Sequence, residues 1–198
     1  MSTEYYSDIP ASLLQNKVIL EVGAGSGKNQ LRSRHKKLFE IANKYGYYLG
    51  LDNEPQEQRL LHIMEADIRD FTVFWRSVDT VLLMHCLEHI PIEDWPSVFA
   101  KLKEALRDGG VLVIACPYDE DPLRPRDQFH VVFNITLTTL EKYLPGIRMF
   151  KANIKYPKRG NVRKMIWWLR QFFNGRRFVP LGLTRYSFIA FWRKEARS

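Results

Sequence analysis

The stretch Glu21-Val22-Gly23-Ala24-Gly25-Ser26-Gly27 follows the apolar run Val18-Ile19-Leu20, placing an acid and three alternate glycines where a strand would turn into a helix. Glycines at that spacing let the backbone close tightly and approach a ligand. Gly27-Lys28 suggests a phosphate loop, but Val22 stands where the first glycine of that motif belongs. Asn29, next after Lys28, lacks the hydroxyl a magnesium ion needs. A dinucleotide fingerprint also fails, because Lys28 occupies its last glycine position and is expected to be a solvent-facing residue of the first helical turn. The remaining pattern, GxGxG preceded by an acid, suits a ligand without pyrophosphate. Two further acids end apolar runs. Asp52 in "YLGLD" is placed to accept hydrogen bonds from two ribose hydroxyls. Asp67 in "EADI" can accept from an exocyclic amine, while Ile68 offers an apolar face to a purine. In "MHCLEHI", His85, Glu88 and His89 stand at i, i+3 and i+4, a spacing that shares one face of a helical turn. Histidine titrates near neutral pH, so His85, or His130 in "DQFHVVF", suits general-base work.

The elements that must position these residues follow from periodicity. Short apolar runs (VILEV, YYLGLD, LLHIMEAD, VDTVLLMH, VLVIACP) alternate with helical patterns (NQLRSRHKKLFEIANKYG, WPSVFAKLKEALRDGG). That alternation predicts parallel strands joined by crossovers and buried on both faces, an α/β sandwich around one sheet. Gly46 and Asp108-Gly109-Gly110 are expected to stop the two helices. Farther on, "TLTTLEKYL" reads as a helix, "GIRMFKANI" as a strand, "VRKMIWWLRQFF" as an amphipathic helix and "RYSFIAFWR" as a final strand.

With these motifs in order, the chain from about Lys17 to Leu144 resembles the Rossmann-like (class I) S-adenosylmethionine-dependent methyltransferases, through "VILEVGAGSG", "LGLD", "EAD", "VDTVLLMHCLEHI" and "ALRDGGVLVIACP". The resemblance implies a three-layer sandwich with a mostly parallel seven-stranded sheet whose last strand is antiparallel. It implies S-adenosyl-L-methionine as cofactor, with Gly23, Gly25 and Gly27 lining its methionine part and Glu21 orienting the turn. Asp52 would lie at the ribose, Asp67 and Ile68 at the adenine, and His85 at the strand end facing the sulfonium. Methyl transfer asks the protein to hold a nucleophile in line and to take its proton, which makes His85 and His130 the candidate catalytic residues. Clusters like His85-Glu88-His89 occur among ubiquinone-pathway O-methyltransferases and small-RNA 2′-O-methyltransferases; the latter have Glu in place of His85. There a distant histidine completes a divalent-metal site, a place His130 could take. The same residues serve hydrogen bonding around the strand-to-helix corner elsewhere in the superfamily, and no residue is assigned to a metal here. The chain departs from the family it resembles in two places. Only "NEPQEQR" separates the second and third strands, so the usual helix there is shortened or lost, and Asp108 stands where relatives commonly have proline.

Composition narrows the setting. The 198 residues, 45% hydrophobic and 13% aromatic, suit one domain. Its expected division is a cofactor-binding core at 17–150, a basic aromatic insertion at 151–184 that contacts substrate or partner, and a final strand at 185–194. No apolar run reaches membrane-spanning length and the N-terminus lacks the order of a signal peptide, so a cytoplasmic location is expected, peripheral to a membrane if the tail binds one. Cys86 and Cys116 have no metal spacing and read as small buried thiols rather than nucleophiles. The formal charge of +8 is concentrated: residues 151–198 carry 13 Lys/Arg against one acid, interleaved with Trp167, Trp168, Phe172, Phe173 and Trp192. An anionic membrane surface, a phosphate-bearing substrate or RNA would suit that tail. The expected activity is O-methylation of a small or lipid-linked acceptor, with RNA 2′-O-methylation or a non-catalytic binding subunit as alternatives.

Overall fold

Residues with no polar face must be covered on both sides, and the strands of this chain meet that demand. In the computed structural model, which describes residues 4–53, 62–72, 76–118, 128–133, 135–154 and 186–196, β1 (Ile19–Val22) and β4 (Val78–Met84) are buried at every position. β1 lies between β2 (Tyr48–Asp52) and β4, parallel to both, with Ile19 opposite Tyr48 on one side and Thr80 on the other. β3 (Ile63–Glu65) pairs with β2 and β5 (Leu106–Tyr118) with β4, again parallel. β7 (Tyr186–Arg193) runs antiparallel to both β5 and β6 (Arg148–Ile154), giving a seven-stranded sheet in the order β3-β2-β1-β4-β5-β7-β6. The fold is therefore the Rossmann-like sandwich that the sequence resemblance implied, with its last strand reversed.

Alternation along the strands sends side chains into two separate layers. Val81 and Leu83 of β4, with Leu112 and Ile114 of β5, meet Trp95, Val98, Phe99 and Leu102 of α4 (Trp95–Ala105). Leu82 and Met84, with Val113 and Ala115, face Phe39 and Ala42 of α3 (Lys36–Lys44) and the N-terminal residues Tyr6, Ile9 and Leu14. Tyr6, Ile9 and Leu14 thus tie the N-terminal segment, with α1 (Glu4–Asp8), into the core, although no element was expected there. The short α5 (Leu137–Glu141) starts where Thr136 accepts a hydrogen bond from Thr139 N at 3.1 Å, within the segment predicted helical.

Two local expectations are corrected. The pattern NQLRSRHKKLFEIANKYG is not one helix: α2 (Lys28–Arg32) ends at Ser33, whose backbone is extended at ψ 164, and α3 starts afresh at Lys36. Ser33 Oγ donates to Gln30 O at 2.8 Å and accepts from His35 N at 3.2 Å, so a serine side chain takes over the backbone groups that a continuous helix would have paired. The Asp108-Gly109-Gly110 turn does not stop α4, which ends at Ala105; Leu106 is already extended and pairs with Val78. Gly109 and Gly110 instead exchange backbone hydrogen bonds with Lys194 at 3.0 and 2.9 Å, closing the sheet end beside β7. Gly46 acts as expected, at φ +72 after α3, with Tyr47 N bonded to Ala42 O at 2.8 Å. The linker "NEPQEQR" beyond Asn53 and the helix predicted for "VRKMIWWLRQFF" lie outside the described residues.

Candidate active site

The carboxyl ends of β1, β2 and β4 converge on one edge of the sheet. Gly23, Gly25 and Gly27 all adopt positive φ (+76, +57 and +77), a backbone that only glycine takes without strain. Gly23 has a second reason to be glycine: a Cβ there would lie 2.9 Å from Cys86 Cβ, so the turn packs directly on the corner after β4. Gly23 N and Ala24 N both donate to Leu51 O, at 2.8 and 3.0 Å, which ties the turn to the end of β2. Asp52, next along, accepts from Gly25 N at 2.7 Å and so stands at the rim of the turn. Lys28 opens α2 and is exposed, as its position predicted.

Glu21, expected to orient the turn, lies behind it rather than at its rim. Its carboxyl is fully buried and accepts hydrogen bonds from Tyr6 OH and, at 2.8 Å, from Tyr48 OH. Burial pushes its pKa up to about 7, against the pull of those donors. Gln30 Nε2 lies 3.2 Å from Ala24 O, 3.4 Å from Tyr6 OH and 3.5 Å from Tyr48 OH, linking this buried cluster to the turn. Tyr6, Gln30 and Tyr48 were not singled out from the sequence; the one available signal was a polar residue at otherwise apolar-facing positions.

At the end of β3, Asp67 is held by Arg69, whose backbone N, Nε and Nη2 reach its oxygens at 2.6 to 3.0 Å. Those hydrogen bonds hold the Asp67 carboxyl below the usual aspartate range. Ile68 is buried in the layer under α4, and Lys101 of α4 donates to the carbonyls of Ile68, at 3.4 Å, and Arg69.

At the end of β4, His85 takes φ +58, a left-handed conformation uncommon outside glycine, and its backbone N donates to Ala115 O at 2.8 Å. A 3-10 turn, Leu87–His89, follows. His85 Nδ1 meets Glu88 Oε1 at 3.1 Å, while Glu88 Oε2 is buried without a hydrogen-bond partner among the described residues. His89 Nδ1 lies 3.1 Å from Phe129 O, and the backbone N–H groups of Val131 and Val132 donate to Glu88 O. This brings His130 against His89, with ring centroids 4.9 Å apart. Glu88, His89 and His130 each offer a ligand atom within 4.8 Å of the others; His85 joins them through Glu88. Cys86 and Cys116 are free thiols pushed well up by burial, which suits packing rather than nucleophilic attack.

Comparison with known proteins agrees with the fold. A family model described as a methyltransferase domain matches residues 3–172. The malonyl-[acyl-carrier protein] O-methyltransferase of Xylella fastidiosa (strain M23) is 32% identical over 103 residues, 49% of this chain and 34% of that protein, so the chain spans well under half of that relative's length. The structure of a SAM-dependent methyltransferase from Archaeoglobus fulgidus superposes with a TM-score of 0.56 at 17% identity, covering 93% of this chain and 89% of the other. The Burkholderia thailandensis 1,6-didemethyltoxoflavin-N1-methyltransferase, solved with S-adenosylhomocysteine bound, gives 0.59 at 18% identity, covering 98% and 78%. At these identities the structural likeness is one of fold. The chain belongs to the methyltransferase-domain family, within the Rossmann-like class I S-adenosylmethionine-dependent methyltransferases, whose cofactor is S-adenosyl-L-methionine.

Proposed function

We propose that the protein is a cytoplasmic enzyme that transfers the methyl group of S-adenosyl-L-methionine to an oxygen of a small or lipid-linked acceptor. The observation that carries this reading is the convergence of a three-glycine turn, Asp52 and His85 at one sheet edge. The residues fit the cofactor: the glycine turn presents backbone without side chains, and Asp52 and Asp67 end adjacent parallel strands, where ribose hydroxyls and an adenine amine need acceptors. In this reading Gly23, Gly25 and Gly27 line the methionine part, and Asp52 accepts from the ribose. Asp67, kept ionised by Arg69, accepts from the adenine amine beside Ile68. When bound, the cofactor supplies the methyl group and a neutral thioether leaving group. His85 or His130 would take the acceptor's hydroxyl proton as general base, and Glu88, hydrogen-bonded to His85 Nδ1, would hold that imidazole in place. Oxygen as nucleophile is supported by the name of the Xylella relative.

Titration calorimetry with S-adenosylmethionine tests the core of the reading. Wild type binds, and Asp52→Ala binds about 10- to 100-fold more weakly, the cost of losing a charged acceptor. No binding by wild type overturns it.

A second reading is favoured by one observation, the Glu88, His89 and His130 cluster. Its donors fit a divalent ion: two imidazoles and a carboxylate, with Glu88 oriented by His85 and His89 by the Phe129 carbonyl. Such an ion would supply Lewis-acid polarisation of the acceptor. Calorimetry with Zn²⁺ or Mn²⁺ alone decides, with His89→Ala as control; equal heats from both proteins remove this reading.

A further inference from the structure

The cofactor turn is wired to the N-terminal segment by four hydrogen-bonded tethers. Tyr6 of α1 donates to Glu21 on β1, two residues before the turn begins. Gln30, on the helix that leaves the turn, bridges Tyr6 OH and the turn's own Ala24 O. Four residues after Gln30, Arg34 N donates to Ser7 Oγ at 3.1 Å, and the His35 ring meets Ile9 O at 2.7 Å, so the break between α2 and α3 also grips α1 and the residue that follows it. Leu13 O accepts from Thr80 Oγ1 at 2.7 Å, anchoring the far end on β4. Packing adds to this: Tyr6, Phe39 and Tyr48 form successive edge-to-face contacts with centroids 6.0 Å apart. α1 has five residues, too short to hold as an isolated helix, so its order depends on these contacts. A buried acid with two tyrosine donors is a costly way to fill a core. It has a use where the position of the strand end matters.

We propose that Tyr6 is a positioning residue for the cofactor: α1 docks through Tyr6, Glu21 and Gln30 onto the back of the glycine turn, and docking and cofactor binding strengthen each other. The proposal rests on the turn being the cofactor site. Linkage makes the coupling reciprocal, so a ligand at residues 23–27 must slow the opening of residues 4–14, and loosening α1 must weaken the ligand. Neither effect is expected if α1 only covers apolar surface.

The test uses the full chain, S-adenosylhomocysteine as probe, calorimetry for affinity and hydrogen–deuterium exchange for order. In wild type, S-adenosylhomocysteine slows exchange both at 22–33 and at 4–14. Tyr6→Phe keeps the ring in the core, binds about tenfold more weakly and loses the slowing at 4–14. Binding by wild type with slowing at 22–33 alone overturns the coupling, whether or not the variant folds, as does wild-type affinity in Tyr6→Phe. Absence of binding by wild type overturns the cofactor reading itself, and the coupling with it.

Discussion

Glu21 shows how far a residue's identity predicts its work. Its place before the glycines is legible in sequence, and so are Asp52 and Asp67, because each ends an apolar run whose direction the fold fixes. What Glu21 touches is not legible: its partners Tyr6 and Tyr48 lie 15 and 27 residues away, and only the folded sheet brings them together. The result is a carboxyl with a pKa of about 7, raised by burial above its ordinary 4.5. A raised folded-state pKa means that the native state holds a proton which the unfolded chain releases between pH 4.5 and 7. The stabilisation is complete below that window and is lost as pH rises through it, by about 3 kcal/mol at most. His35 works in the opposite sense: burial lowers its pKa, so its contribution is lost as pH falls. A difference measurement separates them. The unfolding free energy of wild type minus that of Glu21→Gln should fall between pH 5 and 8, as followed by urea denaturation at each pH; a flat difference would mean that Glu21 titrates normally.

At the level of elements, strands were easier to read than helix ends. The runs around β1, β4 and β5 are continuous because both faces are covered, and composition alone reveals that. Helix limits depend on competition for backbone groups, which hydrophobic period does not report. Ser33 wins that competition by bonding Gln30 O and His35 N, and a single apolar stripe becomes two helices. The Asp108-Gly109-Gly110 turn was misread for a related reason: its backbone partner is Lys194, beyond the last strand, and no local signal announces it. Ser33→Ala removes both side-chain bonds and should destabilise the fold by about 1 kcal/mol, read as a lower urea midpoint at unchanged slope. Because α2 leaves the glycine turn proposed to hold the cofactor, the same variant should also weaken S-adenosylhomocysteine binding. An unchanged midpoint would show that packing of Phe39 and Ala42, rather than Ser33, sets the break.

Across the whole molecule, charge is distributed by segment and not by surface chance. Residues 1–150 carry a slight excess of acid, whereas 151–198 hold 13 Lys/Arg and one Glu. Among the described residues no helix is long and apolar enough to cross a membrane. Most of the basic segment lies between β6 and β7, strands that pair with each other, so both of its ends return to the sheet. A chain segment anchored in this way and rich in Lys, Arg, Trp and Phe suits an anionic lipid surface, where each basic residue near the headgroups contributes about 1 kcal/mol. That agrees with a lipid-linked acceptor, since the same contact would bring enzyme and substrate together. The protein should therefore sediment with vesicles containing phosphatidylserine at low salt and dissociate as ionic strength shortens the range of the attraction. Neutral phosphatidylcholine vesicles should leave it in solution, and Arg176→Glu/Arg177→Glu should weaken the anionic binding while S-adenosylhomocysteine affinity is retained. Salt-dependent binding to single-stranded RNA with no vesicle binding would move the acceptor from lipid to nucleic acid.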